Sequence, residues 1–481
     1  MRHPRPADLP LTIDRSAPRS LVVQIADGLR EVVRAGVLQA GDPLPSTRAL
    51  ATRLGVARGT VVAAYDQLHG EGWLVADEGA TRVDPGVHLD HPGRAPSPSR
   101  GVAAQTVPPS AADVIDLRPG QPDVTDVVDG AWRAAWRSAV GQAGARHDPS
   151  GSLALRSALA EHVRIARGVV VGEGEILVTA GVREGLQLVL TALVLGQDAR
   201  DRQLRVAVED PGYPALRRVI AALGHEVVPV PVDEAGLRVD HLDSDLDAVL
   251  VTPGHQYPLG GAMPVGRRLE LIAWARDHGA VVLEDDYDGE LRFTGEPVPA
   301  LAALDRGDEG VVVTLGSFAK VLAPGIGLGH VIVPMPLRQR VITLRHDVGC
   351  PVPATVQDAL EYYLDAGALR RHTARMRRRY RDRRDVALRL LSGLEGVRVR
   401  PMDGGLHAVV ELEGVDAAAE RAVVAEARAR GVLVAGMADY WSDLRPRHPA
   451  GGLPRHGLVV GLGPPSLEEG LTRLREVIAP A

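Results

Sequence analysis

Of the 55 basic residues in the chain, 54 are arginine and one, Lys320, is lysine. A guanidinium stays protonated inside proteins, whereas an ammonium can be brought to the free amine and attack a carbonyl. A single lysine in a chain that otherwise writes arginine is therefore a candidate for imine formation. The bland alternative is a surface lysine of no consequence, and the neighbours decide between them. In "VVLEDDYDGEL" the acids Asp285 and Asp286 and the phenol Tyr287 follow an apolar run, and in "VEDPGYP" Tyr213 follows another. Acids in such places also cap helices or sit in solvated turns. Several chemically able side chains on separate strand ends favour a shared site over those local roles.

The elements that must position these residues read as alternating strands and helices. Short β-branched runs ("RVAVED", "AVLVTP", "AVVLEDD", "VVVTLGS") interleave with amphipathic helices ("LRSALAEHVRIARG", "RRLELIAWARDHG"). That alternation predicts an α/β fold with a mostly parallel central sheet, whose ligands sit at the carboxyl ends of the strands. One clear shift in composition, over residues 85–112, is rich in Pro, Ser and Gly and marks a linker. It separates a head, residues 1–84, from a body, residues 113–481. At 481 residues the chain exceeds one ordinary core. One cysteine, Cys350, excludes an intramolecular disulfide, and the 16 histidines show no metal-ligand spacing, so no metal site is expected. No apolar run of membrane-spanning length and no signal peptide is visible, which predicts a cytoplasmic protein with no membrane partner. A formal net charge of −6 confers no general pull on nucleic acid, so any DNA affinity must be local.

In the head, "LPSTRALATRLGVARGTVVAAYDQLHGEGWLVADEGATRV" reads as helix, tight turn, helix and a strand pair, a winged helix-turn-helix. Arg48, Arg53, Arg58 and Thr60 fall where the second helix and its approach would meet phosphates and base edges, with Tyr65 further along. Residues 20–84 resemble the GntR-type winged helix. Two departures stand out. Ala57 occupies the usual serine cap of the recognition helix, a loss of about 1 kcal/mol of helix stability. The wing, "DEGATR", carries Asp77 and Glu78 where a basic hairpin is usual. With ten Arg against ten Asp plus Glu over residues 1–84, the head is expected to rely on dimerisation for affinity.

From residue 113 onward the chain resembles the fold-type I aminotransferases, on "VTPGHQYPLGGAMPVGRRLELIAWA", "LEDDYDGELRF", "SFAKVLAPGIGLG" and "DGGLHAVVEL". The joint architecture resembles the MocR (GabR-like) regulators, in which a GntR head is fused to an aminotransferase-like body with a small C-terminal α+β part. The resemblance implies pyridoxal 5′-phosphate as cofactor, with Lys320 as the imine lysine, Asp285 the partner of the pyridinium nitrogen, Tyr287 the donor to the ring hydroxyl, Tyr213 the stacking ring and Ser317 a phosphate contact. His255, Gln256 and Tyr257 fall in the segment bordering the ring. The phosphate end departs from the pattern. Gly327 replaces the arginine seven residues after the lysine, Ala180 and Val182 stand where Ser or Thr is common, and Arg146 takes the place of a tyrosine that reaches across the dimer. Compensation is expected from Arg146 of the second chain and from Arg183, beside the amides of Gly181 and Val182 at a helix start. Arg455 is the nearest candidate for a ligand carboxylate. The arginine-rich run 370–385 reads as a solvated connecting helix, with contact to flanking DNA as the alternative.

These readings together predict a homodimeric, cofactor-dependent transcriptional regulator that binds a double-stranded operator and responds to an amino acid, an amine or a vitamin B6 compound. The competing functions are an active aminotransferase with an attached head, and a sensor that holds no cofactor.

Overall fold

The computed structural model describes residues 9–77, 80–87, 114–141, 144, 146–195, 202–294, 298–305, 310–442 and 455–479. The chain divides into two compact units, Met1–Pro108 and Pro109–Ala481. In the first, α1 (Leu21–Arg34) buries Ile25, Ala26, Leu29, Val32 and Val33, the stripe its spacing dictates. α2 (Thr47–Leu54) starts at Ser46, whose hydroxyl accepts from the Ala49 amide, and stops at Gly55 in the left-handed conformation with φ +63. α3 (Arg58–Gly70) follows, and Ala57 leaves its first turn without a side-chain cap, as the composition of that position requires. β1 (Leu74–Asp77) and β2 (Ala80–Val83) pair antiparallel as the wing. Glu78 and Gly79 at its tip lie outside the described residues.

The second unit is built on an eight-stranded sheet. Its strands are β4 (Ile176–Thr179), β5 (Arg205–Asp210), β6 (Glu226–Asp233), β7 (Gly236–Leu237), β8 (Ala248–Val251), β9 (Val281–Asp286), β10 (Val312–Ser317) and β11 (Gly329–Ile332). The order is β4-β11-β10-β9-β8-β5-β6-β7. The five strands β6, β5, β8, β9 and β10 run parallel, and β11 and β7 enter antiparallel, so the sheet is mixed around a parallel centre. Helices cover both faces. Against one pack Leu186, Val189 and Leu190 of α6 (Val182–Leu195); against the other pack Leu271, Ile272 and Ala275 of α8 (Val265–His278). Burial on both faces explains why β8 is apolar throughout and β4 is apolar up to its last residue, Thr179.

The C-terminal part carries an antiparallel sheet of β12 (Val397–Val399), β13 (His407–Leu412), β16 (Gly457–Gly461) and β15 (Ala435–Gly436). A separate parallel pair joins β3 (Ile115–Asp116) to β14 (Val432–Leu433). The 24-residue helix α11 (Ala368–Leu391) leads into this part. Four of its arginines are committed within the body, while Arg370, Arg371 and Arg378 are exposed. Arg379 and Arg383 both grip Asp123, at 2.8 and 2.7 Å, while Arg377 and Arg381 donate to the carbonyls of Glu290 and Phe293. The helix connects to the C-terminal part with an exposed face, as expected, and on its other side it braces the entering segment 119–125, a role the sequence reading did not include. Among the described residues no helix is long and apolar enough to cross a membrane.

Candidate functional site

Strand alternation sorts the three consecutive acids at the end of β9. Glu284 and Asp286 share one face: Glu284 accepts from Thr314 and from the Leu301 amide, and Asp286 takes a bidentate grip from the buried Arg167 at 2.6 and 2.9 Å. Asp285 points to the opposite face. There its Oδ1 is buried with no hydrogen-bond partner. Burial raises this carboxyl to about 8, with Asp286 and Asp288 pushing the same way and Lys320 opposing. An orphaned buried acceptor of that kind asks for a donor from a ligand.

Lys320 stands across the same space, on the turn after β10. Its Nζ donates to the Gly120 carbonyl at 2.7 Å, and Gly120 holds φ +94 beneath it; a Cβ there would lie 3.0 Å from Nζ. Burial draws the ammonium below the ordinary lysine value, with Arg183 acting in the same direction against Asp285 and Asp288. A depressed ammonium yields more of the nucleophilic free amine.

The remaining walls are aromatic. The Tyr287 hydroxyl donates to the His255 carbonyl at 3.1 Å and lies 2.9 Å from His255 Nδ1, which also reaches Asp288 at 2.9 Å. Burial, with Asp288 beside it, pushes this phenol well above its usual range, so Tyr287 stays a neutral donor. Tyr213 meets Tyr257 edge-on at 5.3 Å, and Tyr257 meets Tyr287 at 5.5 Å and His407 at 4.8 Å. Together with Lys320, Asp285 and the Gly120–Gln121 backbone these rings enclose a cavity of about 320 Å³. His407 is the residue sequence reading passed over. It is the one histidine in the buried strand β13, its Nε2 is 2.8 Å from the Pro258 carbonyl, and burial lowers its pKa to about 4. A histidine inside an otherwise apolar run was the available signal. Gln256, by contrast, lies behind the wall, with its amide spent on the Pro211 and Tyr257 carbonyls.

The phosphate end is built differently from the ring end. Ser317 Oγ accepts from the Ala319 amide at 3.1 Å. Gly181, φ +93, turns the chain into α6, and Val182 and Arg183 open that helix, with Arg183 exposed. The Ala180 amide is already taken: it donates to Glu184 Oε2 at 3.1 Å, and Glu184 Oε1 pairs with the buried Arg345 at 2.7 Å. Gly327 lies in the left-handed conformation at φ +58. Ser317, Gly181, Val182 and Arg183 do not line the cavity, and Arg146, expected to act on a second chain, is exposed. The residues present therefore fit the ring and aldehyde of pyridoxal phosphate and do not fit its phosphate.

Two expected roles are corrected by geometry. The Arg455 guanidinium pairs with Glu411 at 3.0 Å, an acid it shares with Arg400 at 2.8 Å, and it does not face the cavity. Tyr65 is buried in the head, where its hydroxyl donates to the Pro45 carbonyl at 2.7 Å. It is a core residue of the winged helix, unavailable to DNA. Arg48, Arg53 and Arg58 are exposed and Thr60 is half-exposed, with Arg58 Nε donating to Thr47 at 3.4 Å.

Family models agree with both units: "Aminotransferase class I and II" matches residues 112–438, and "Bacterial regulatory proteins, gntR family" matches residues 21–83. The chain belongs to the transcriptional regulators that join a GntR winged helix to an aminotransferase class I/II body. It is 43% identical over 90% of its length, and 92% of the relative's, to the HTH-type pyridoxine biosynthesis transcriptional regulator PdxR of Corynebacterium glutamicum. The probable rhizopine catabolism regulatory protein MocR of Rhizobium meliloti is 33% identical over 79% of each chain. Among solved structures, an archaeal alanine:glyoxylate aminotransferase superposes with a TM-score of 0.67 at 22% identity, over 76% of this chain and 91% of that one. The body thus has the fold of pyridoxal phosphate enzymes.

Proposed function

We propose that this regulator senses a vitamin B6 aldehyde through Lys320 and transmits its binding to the operator-reading head. The single observation that carries the reading is the pairing, across one cavity, of a primary amine with a buried carboxylate oxygen that lacks a donor. A pyridine aldehyde supplies both missing partners, a carbonyl for the amine and a ring nitrogen for the acid, and Tyr213, Tyr257 and Tyr287 supply its walls. When bound, such a group offers an electrophilic carbonyl. The chain's own residues hold it: Asp285 at the ring nitrogen, Tyr287 as donor, Lys320 as nucleophile.

The similarity to a pyridoxine biosynthesis regulator supports a vitamin B6 effector over an amino acid or amine, which would enter the same cavity. Lys320 is the one side-chain cation among the described lining residues. In this reading residues 1–84 form the DNA-binding head, 85–112 the linker and 113–481 the sensor, and the protein acts in the cytoplasm as a homodimer on double-stranded DNA. Arg48, Arg53, Arg58 and Thr60 contact the operator. Binding changes the output only through different ligand affinities in two arrangements of the dimer. Footprinting with and without pyridoxal compounds tests this, using wild type and Lys320→Ala. An operator footprint that responds to the aldehyde in wild type alone supports the proposal, and an identical response in Lys320→Ala contradicts it.

A further inference from the structure

The two ends of the site disagree about their ligand. At the ring end every group has a use. At the phosphate end several features that would hold a dianion are missing, and others are already committed in hydrogen bonds. A helix start attracts an anion through its free amides and its positive end. Here that anion belongs to the chain itself: Glu184, on the first turn of α6, accepts from the Ala180 amide. The same carboxylate neutralises Arg345, whose side chain is 1% exposed and whose Nη1 donates to the Gly349 carbonyl. That buried guanidinium is therefore committed before any ligand arrives.

Position 327, seven residues after Lys320, holds a glycine with φ +58, and nothing lies within 4 Å of where its Cβ would be. Crowding does not exclude a long side chain there; none has been supplied. Ala180, exposed at the turn, offers no hydroxyl. Arg183 remains as a cation at the start of α6, but it stands outside the cavity wall. A phosphate of roughly −1.5 to −2 charge would meet the Glu184 carboxylate beside the amides it needs.

We propose that the site takes the pyridoxal ring without its phosphate, so that an unphosphorylated vitamin B6 aldehyde is the ligand it prefers. The proposal rests on the Lys320 reading above and names the ligand of that same site. The chemistry balances without a co-reactant: the Lys320 amine adds to the aldehyde carbon, a C=N bond replaces the C=O bond, and the carbonyl oxygen leaves as water. Glu184 then acts as the residue that selects against the phosphate ester, by occupying its place and by repelling it.

The test uses the full chain and reads binding, with no turnover required. The protein is titrated with pyridoxal 5′-phosphate and with 5′-deoxypyridoxal, which keeps the ring and aldehyde, carries no phosphate and cannot close on its own hydroxyl. Absorbance gives the two affinities, and borohydride reduction with mass spectrometry locates the adduct. 5′-Deoxypyridoxal is expected to bind Lys320 more tightly than the phosphate ester does. A preference for the phosphate ester overturns this proposal and leaves the regulator reading intact; an adduct with neither compound overturns both. Gly327→Arg and Ala180→Ser, each checked for native circular dichroism, return parts of a phosphate cup. At least one of them is expected to shift the ratio toward the phosphate ester, and a ratio unmoved in both overturns the proposal.

Discussion

Replacing Asp285 by asparagine is expected to strengthen the ligand-free fold while weakening the ligand. The folded carboxyl titrates at about 8, against an ordinary value of 3.8, chiefly because burial disfavours its charge. Between those values the folded chain holds a proton that the unfolded chain releases, so stability falls as pH rises through the window. At pH 7 the gap is about 3 pH units, and at 1.36 kcal/mol per unit the acid costs the fold about 4 kcal/mol. Asparagine has the shape of the protonated acid and no such cost. Urea unfolding of the ligand-free body should therefore show Asp285→Asn more stable than wild type by several kcal/mol at pH 7, on the order of 4, with less than half of that remaining at pH 5. The same variant loses the charged partner of the ring nitrogen. A charge-assisted hydrogen bond contributes about 1.5 to 3 kcal/mol, so aldehyde affinity should drop roughly tenfold to a hundredfold. Equal stability of the two proteins at pH 7, or a difference that stays constant down to pH 5, would refute the buried-acid reasoning.

Two further outcomes follow from single contacts. Ala57→Ser should supply the missing cap of the recognition helix and raise the stability of the head by about 1 kcal/mol, read from thermal unfolding of residues 1–84 within the full chain. Asp123→Ala should remove the acid shared by Arg379 and Arg383, which keep Asp126 and the Leu462 and Gly463 carbonyls, and destabilise the body by about 1 to 3 kcal/mol in urea. Because segment 119–125 carries the Gly120 carbonyl under Lys320, its aldehyde affinity should fall as well.

The ring end of the site was legible because each of its residues breaks a local pattern. Lys320 is the lone lysine, Asp285 ends an apolar strand, and Tyr213 and Tyr287 follow such strands closely. The β/α alternation likewise announced the sheet, although the antiparallel entry of β11 depends on register, which a run of apolar residues does not encode. Other errors came from reading chemistry where packing decides. Val61, Ala64, Tyr65 and Leu68 fall on one helical face, so periodicity already placed Tyr65 inside the head. Arg377, Arg379, Arg381 and Arg383 of α11 looked idle because Asp123 and the carbonyls they hold lie far away in sequence. Arg455 had the same fault: its partner Glu411 sits 44 residues earlier, on a strand that only the fold brings beside it. Glu184 was hidden for the opposite reason, since an acid in the first turn of a helix looks like ordinary dipole stabilisation.

The most direct measurement is reduction of the aldehyde-treated protein with borohydride, followed by peptide mapping. With one lysine in the chain, the account predicts a single reduced adduct, on Lys320, that is absent in Lys320→Arg while the variant retains operator binding. Protein that forms no adduct with any vitamin B6 aldehyde, or labels only at its N-terminal amine, would contradict it.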